Sequence, residues 1–191
     1  MIDSIFPNYF YSLITPPNKE ELITTLNNVE VDESESKELL WANHCKIKVD
    51  SLYPQDVKSA LTQTLNIFSN ELGVNFDKLK MLGVWRNTYN KGYYQEIHDH
   101  VAHDGADLSG VVFLTDHVEG ASKFYFFNKH YSEMSTFWIR LLNDTKATYR
   151  TYSIIPKVGD VLLFPSYMMH GVTMHKIDQP RTTVAFNISL Q

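Results

Sequence analysis

Residues 159–172 read GDVLLFPSYMMHGV, and they predict a corner between two β-strands. A Gly-Asp turn leads into the apolar run Val161 to Phe164, which suits a buried strand, and Pro165 interrupts that strand. His170 then opens a second strand. Short strands joined by tight corners are typical of an antiparallel barrel or sandwich.

Similar extended segments recur after about residue 79, separated by turn residues such as Asn90-Lys91-Gly92 and Glu119-Gly120. The predicted strands lie near residues 80–87, 92–100, 109–115, 122–127, 147–154, 160–165, 168–174 and 181–190. Short strands with closely spaced turns predict a mainly β fold of the jelly-roll type. Residues 128–144 do not alternate, and we expect a covering loop or helix there.

The first third of the chain is predicted to be helical. Asn18, with Glu21 three residues later, has the spacing of a capping box at a helix start. A stronger helical stripe has apolar residues at spacings of three and four: Val57, Leu61, Leu65, Phe68 and Leu72. Since no linker or repeat divides the chain, we expect one domain over residues 1–191, with helical support over 1–78 and a β core over 79–191.

The composition of the 191 residues is that of a globular protein, with 43% apolar and 13% aromatic residues. The formal net charge is -5 and no cluster of Lys and Arg occurs, so the chain lacks the electrostatic footprint of a nucleic-acid binder. Cys45 is the only cysteine, which excludes an intrachain disulfide and a cysteine-based zinc site. Without a secretory signal or a membrane-length apolar run, we expect a cytoplasmic protein.

Residues 94–105, YQEIHDHVAHDG, are rich in groups that bind metals. If the segment is extended, His98 and His100 point to one face and Asp99 points to the other. The Cα atoms of His98 and His100 would lie about 6.6 Å apart, which lets the two imidazoles converge on one ion. His103 lies beyond the predicted strand, so the pattern does not fix its direction. A histidine pair in a polar loop without a metal is the alternative.

A third ligand should come from a strand that returns beside the first. His170 is the best candidate, because it opens the strand after the proline corner; a histidine in a surface turn is the alternative. The other histidines have no acidic or histidine neighbour at a useful spacing, and we expect them at the surface: His44, His117, His130 and His175.

Arg181 and Thr183 share one face of the probable last strand, whereas Val184 and Phe186 share the opposite face. A guanidinium with a neighbouring hydroxyl suits a carboxylate, because arginine forks onto both oxygens and threonine donates a further hydrogen bond. A salt bridge at the rim is the alternative role for Arg181.

Four motifs now stand in a fixed order: His98-x-His100, Leu108 to Leu114, Phe164-Pro165-Ser166-x-x-x-His170 and Arg181-x-x-x-Ala185-Phe186-Asn187. Together they resemble the iron(II)- and 2-oxoglutarate-dependent oxygenases, and in particular the small 2OG-Fe(II) oxygenases common in marine bacteria and their phages. The resemblance covers about residues 80–190. It implies a bacterial cytoplasmic protein, or one of the host cytoplasm if a phage encodes it.

The resemblance implies a double-stranded β-helix, a cupin-like jelly-roll barrel, with Fe(II) and 2-oxoglutarate as cofactors. By position, His98 and His170 match the two iron-binding histidines of the family. Arg181 matches the arginine that binds the far carboxylate of 2-oxoglutarate, with Thr183 as helper. Asn87 or Tyr89, on the strand before the histidine pair, would add hydrogen bonds to the cosubstrate.

One position departs from the common family pattern, which has an acid where this chain has His100. Three neutral histidines leave the +2 charge of iron uncompensated until the dianionic cosubstrate arrives, yet they keep positions open for oxygen and a 2-oxo acid. Asp104, reaching back from the loop, and Asp99, turned inward by a bulge, are the alternatives to His100.

The implied reaction is hydroxylation of a C–H bond in an unidentified substrate by O2, with release of succinate and CO2. The candidate apolar walls of the pocket are Trp85, Phe113, Phe126 and Phe164, for which plain core packing is the alternative. Segment 128–144 and the loop from Val101 to Asp107 are expected to border the substrate entrance.

Two other functions stay open from the sequence. One is a cupin-like three-histidine metalloprotein that does not use 2-oxoglutarate. The other is a non-catalytic jelly-roll binding module. A buried arginine that faces the metal would argue against the first. Against the second, a structural ion site is closed by four protein ligands, whereas the sequence offers three good ones.

Overall fold

Ten strands and three helices form in the part of the chain that the computed structural model describes, which is residues 10–33, 47–73, 75–101, 105–131 and 149–191. The helices are α1 (Lys19–Asn28), α2 (Pro54–Ala60) and α3 (Thr62–Leu72), followed by a short 3-10 helix at Phe76–Lys78. The strands are β1 (Ser12–Ile14), β2 (Lys48–Ser51), β3 (Leu79–Tyr89), β4 (Gln95–His98), β5 (Leu108–Phe113), β6 (Phe124–Phe127), β7 (Thr151–Ser153), β8 (Val161–Pro165), β9 (His170–Val172) and β10 (Arg181–Leu190).

The strands form two antiparallel sheets. One sheet has the order β1-β8-β5-β10-β3-β2, and the other has the order β4-β9-β6-β7. Their inner faces share one apolar cluster, in which Phe113 and Phe164 of the first sheet meet Phe124 and Val172 of the second. Two sheets wrapped around a common core form the predicted double-stranded β-helix.

A second apolar cluster fills the space between the larger sheet and the helices. It contains Leu22 and Leu26 of α1, Phe68 of α3, and Val184 and Phe186 of β10. The central strands β5 and β8 of the larger sheet are therefore buried on both faces. This burial explains why β5 and β8 read as continuous apolar runs rather than alternating ones, since every residue of both strands is buried.

The helical region departs from the prediction in two ways. The apolar stripe that predicts one long helix is divided at Leu61, which ends α2 and precedes α3. Gly73 then ends α3 in the left-handed conformation at φ 69°. The predicted capping box before α1 is wrong, because the side chain of Asn18 makes no capping hydrogen bond.

The predicted strand at 92–100 is shorter in the structure, since β4 ends at His98. The first part of the chain also supplies β1 and β2, which were not predicted and lie at the two edges of the larger sheet. Most of segment 128–144 lies outside the described residues. None of the described helices is long and apolar enough to cross a membrane.

Candidate metal centre

Three histidines meet at one end of the space between the two sheets. His98 is the last residue of β4, and it pairs directly with His170, the first residue of β9. His100 follows two residues later, where its backbone N–H donates to the carbonyl of Ser166 over 2.9 Å. One potential ligand atom from each ring lies within 4.8 Å of the other two. His100 and His170 are buried, and His98 is half-buried.

In each of the three histidine rings, Nδ1 forms a hydrogen bond with an oxygen atom that can only accept. A neutral imidazole that donates from Nδ1 keeps its lone pair on Nε2. All three rings therefore present Nε2 as the atom that is available to a metal ion. The three bonds, each 2.8 Å long, are His98 Nδ1 to the carbonyl of Glu96, His170 Nδ1 to the carbonyl of Met168, and His100 Nδ1 to Oδ1 of Asn187.

A buried polar network holds His100 in place. Asn187 Oδ1 also accepts a hydrogen bond of 2.9 Å from the hydroxyl of Ser109, which bonds in turn to the hydroxyl of Ser166 at 2.9 Å. The ring of Trp85 stacks against His100 with 5.8 Å between ring centroids. These contacts fix the ring by packing on one side and by hydrogen bonding on its edge.

The charge state of His170 suits a metal ligand. Burial, together with the neighbouring His98 and His100, lowers the pKa of His170 well below its ordinary value. The imidazole is therefore neutral at neutral pH, and no proton competes with a cation for Nε2.

Arg181 lies at the opposite end of the same cavity. Its guanidinium carbon is 5.2 Å from the ring centroid of Tyr89 and 5.5 Å from that of Phe113. The residue is 5% exposed, and its Nη1 atom is buried without a hydrogen-bond partner in the described part of the chain. Burial lowers the pKa of Arg181 and Tyr89 opposes that shift, but a guanidinium stays charged in proteins.

The cavity between the histidines and Arg181 is lined by the inward faces of two neighbouring strands. These faces carry Trp85, Asn87 and Tyr89 from β3, and Arg181, Thr183 and Ala185 from β10. Thr183 lies directly opposite Asn87 in the pairing of the strands. Among the described residues, no aspartate or glutamate lines the cavity. The buried cation therefore faces a space that suits an anion.

The alternative ligands differ in where they lie. The carboxylate of Asp99 accepts a hydrogen bond of 3.3 Å from the backbone N–H of Val101, and it is not part of the histidine cluster. Asp104 and His103 lie outside the described residues.

The remaining candidates divide between the cavity and the core. Trp85 and Phe164 line the cavity, whereas Phe113 and Phe126 pack within the inter-sheet core. The expectation that His175 is a surface residue is wrong: the residue is 1% exposed, and its Nδ1 accepts from the backbone of Ser122. Of the other histidines expected at the surface, His130 is exposed and His117 is half-buried, while His44 lies outside the described residues.

Gln95 and Asn187 are site residues to which the sequence patterns gave no role, although Asn187 belongs to the fourth motif. The hydroxyl of Tyr89 donates to Oε1 of Gln95 over 2.9 Å, and Nε2 of Gln95 lies 3.2 Å from Nε2 of His98. Strict alternation would place Gln95 and His98 on opposite faces. A register shift between them, where β4 pairs with β9, brings both into the cavity.

The donor set fits an iron centre with a 2-oxo acid. Imidazole nitrogens suit iron, and three ligands on one side leave positions open for a bidentate cosubstrate and oxygen. The unpartnered Nη1 of Arg181 supplies a hydrogen-bond donor for the remote carboxylate.

Comparisons with known proteins identify the family of this chain. Residues 83–187, more than half of the chain, match the family described as "Putative 2OG-Fe(II) oxygenase". A sequence comparison with curated proteins finds no significant match.

Solved structures share the fold at low sequence identity. A 2OG-Fe(II) oxygenase-family oxidoreductase from Burkholderia pseudomallei aligns with a TM-score of 0.62 at 12% identity, over 94% of this chain and 84% of its own. HygX from Streptomyces hygroscopicus was solved with nickel, 2-oxoglutarate and hygromycin B bound. It has a TM-score of 0.59 at 14% identity, and the alignment covers 97% of this chain and 85% of HygX. A prolyl-4-hydroxylase from Pseudomonas putida has a TM-score of 0.59 at 13% identity, and the alignment covers 96% of this chain and 94% of the hydroxylase.

The family match, the fold and the histidine cluster lead to one conclusion. The chain belongs to the 2OG-Fe(II) oxygenase family, and its cofactors are Fe(II) and 2-oxoglutarate.

Proposed function

We propose that this oxygenase hydroxylates a C–H bond of its substrate, with Fe(II) held by His98, His100 and His170 and with 2-oxoglutarate held by Arg181. One observation carries the proposal. Three convergent Nε2 lone pairs and a buried guanidinium with an unpartnered donor lie in the same cavity.

The three histidines hold the metal as neutral ligands. Fe(II) and 2-oxoglutarate, when bound, supply the oxidising chemistry, in which 2-oxoglutarate and O2 give succinate, CO2 and one oxygen atom for the substrate. The protein contributes geometry: Asn187 and two backbone carbonyls hold the three Nδ1–H groups, so every ring keeps Nε2 directed at the metal.

Arg181 binds the carboxylate of 2-oxoglutarate that is remote from the metal. Its charge is buried and no carboxylate lines the described cavity, so an anionic ligand relieves an otherwise uncompensated cation. Thr183 and Asn87 face each other midway along the cavity and donate further hydrogen bonds to the cosubstrate. The ring of Tyr89 packs against the guanidinium, and its hydroxyl adds to the same site.

His100 is the third metal ligand in this proposal. Its Nδ1–H is engaged by Asn187, its ring stacks on Trp85, and its Nε2 converges with the other two. Asp99 bonds instead to the backbone of Val101. A triad of neutral ligands does not offset the charge of Fe(II), so we expect the dianionic cosubstrate to strengthen metal binding markedly.

Apolar residues enclose the reacting centre. Phe124 and Phe164 contact His170, with 5.3 Å and 4.9 Å between ring centroids. Such walls exclude water from the metal end of the cavity, which favours the coupled oxidation of a substrate.

The proposal is tested with isotopic oxygen. Protein loaded with Fe(II) and 2-oxoglutarate is incubated with a cell extract under 16O2 or 18O2, and extract products are compared by mass spectrometry. We expect a product that gains one oxygen atom from O2, with one labelled oxygen in succinate, and neither signal with His170→Ala. A product that loses two hydrogens and gains no oxygen would contradict hydroxylation.

A further inference from the structure

Gln95 contacts both halves of the cavity. The residue is 9% exposed, and its amide lies between the metal ligand His98 and Tyr89. Tyr89 in turn packs against the guanidinium of Arg181. A single side chain therefore connects the metal end of the cavity to the end that carries the buried cation.

The orientation of the Gln95 amide follows from its neighbours. The carbonyl of Glu96 only accepts, so His98 carries its proton on Nδ1 and presents a lone pair at Nε2. The group 3.2 Å from that lone pair must therefore donate, which places the amide nitrogen of Gln95 at His98. The amide oxygen then accepts from the hydroxyl of Tyr89 over 2.9 Å.

The amide N–H and a metal ion cannot use the lone pair of His98 Nε2 at the same time. Binding of Fe(II) at His98 therefore displaces the amide donor from the ring, while the hydroxyl of Tyr89 still holds the amide oxygen. The displaced N–H faces the cavity, where 2-oxoglutarate offers only acceptor atoms. The loss of one hydrogen bond on metal binding is thus offset by a new one to the cosubstrate.

We propose that Gln95 is a positioning residue that couples the metal to the cosubstrate: its amide competes with the metal for His98 Nε2 and, once displaced, donates to 2-oxoglutarate. This inference rests on the proposed function, in which His98 binds the metal. The coupling adds to the direct contact between Fe(II) and 2-oxoglutarate, because it acts through a side chain that touches both sites.

The test is the affinity for Fe(II), measured anaerobically by chelator competition with and without 2-oxoglutarate. Without 2-oxoglutarate, Gln95→Leu should bind Fe(II) about three- to tenfold more tightly than wild type, since one competing hydrogen bond is gone. With 2-oxoglutarate present, Gln95→Leu and wild type should bind Fe(II) with similar affinity. The strengthening of Fe(II) binding by 2-oxoglutarate should therefore fall by a similar factor.

Gln95→Met is the second variant, and it guards against misfolding of Gln95→Leu. Its unbranched, uncharged side chain keeps the length of glutamine but has no N–H for His98, so it should also bind Fe(II) more tightly and show weaker coupling. Gln63→Leu is the matched control, because Gln63 is exposed on α3. This control should match wild type in both titrations.

The Gln95 role is overturned if both Gln95 variants bind Fe(II) as wild type does, or more weakly, while 2-oxoglutarate strengthens binding equally in all proteins. A different result overturns the proposed function. That result is an Fe(II) affinity of wild type and Gln63→Leu that 2-oxoglutarate does not change. The cavity would then not hold both cofactors, and the proposed role of Gln95 would be overturned as well.

Discussion

Asn187 Oδ1 accepts a hydrogen bond of 2.8 Å from Nδ1 of His100, a residue 87 positions earlier in the chain. Asn187 belongs to β10, the strand that also carries Arg181. One strand therefore orients a proposed metal ligand near one end and places the buried cation at the other. The distance between the two binding groups is set by this strand rather than by flexible loops.

Asn187→Ala should weaken Fe(II) binding by about 10- to 100-fold, because His100 loses the acceptor that fixes its tautomer. Asn187→Asp should retain tight binding, since a carboxylate is a stronger acceptor for the same N–H. Chelator competition measures both affinities. Asn27→Ala, at an exposed position of α1, is the control. Equal weakening by the alanine and aspartate variants would show that Asn187 only supports the fold.

Arg181→Met should weaken 2-oxoglutarate binding by at least about 100-fold, because a buried charge pair loses its cation. Fe(II) affinity without 2-oxoglutarate should stay within about twofold of wild type, since Arg181 lies away from the histidines. Arg181→Lys should bind 2-oxoglutarate more weakly than wild type and more tightly than Arg181→Met, because lysine keeps the charge but lacks the planar fork of arginine. Equal losses of metal and cosubstrate in titrations of Arg181→Met would instead indicate a structural role.

The third ligand is tested by three parallel alanine variants. His100→Ala should abolish tight Fe(II) binding, whereas Asp99→Ala and Asp104→Ala should bind within a few-fold of wild type. The reason is that the potential ligand atom of His100 converges with those of His98 and His170. Loss of binding in either aspartate variant, with His100→Ala unaffected, would assign the position to that carboxylate.

Gly110 should be intolerant of a side chain. A Cβ at this position would lie 2.2 Å from the ring of Phe186, which is fully buried. Gly110→Ala should therefore lower the free energy of unfolding by about 1–3 kcal/mol. Urea denaturation measures the change. Gly83→Ala is the matched control, because its added Cβ would meet only the ring of Trp85 at an ordinary 3.6 Å. A similar effect of both substitutions would contradict the steric explanation.

Much of the fold follows from local pattern. Short strands and turns predict the jelly roll, and alternation along β10 correctly places Arg181 and Thr183 towards the cavity and Val184 and Phe186 towards the helices. The division at Leu61 was not predictable, because α2 and α3 bury the same apolar stripe on either side of it. The edge strands β1 and β2 are too short to show a period.

The parts of the site that were missed depend on tertiary structure. Gln95 enters the cavity because of a register shift in β4, and alternation cannot anticipate such a shift. Asn187 meets His100 only after β10 pairs with β5, which carries Ser109. Similarly, the burial of His175 was not predictable, since its Nδ1 accepts from the backbone of Ser122, which is 53 positions away in the chain.

The most direct test of the central claim is an anaerobic titration of the protein with Fe(II) and 2-oxoglutarate, followed by visible absorption. A chelate of the two cofactors at the histidines and Arg181 should give a metal-to-ligand charge-transfer band in wild type. The band should be lost in His98→Ala and His170→Ala. Bound Fe(II) without the band in the presence of saturating 2-oxoglutarate would contradict the account.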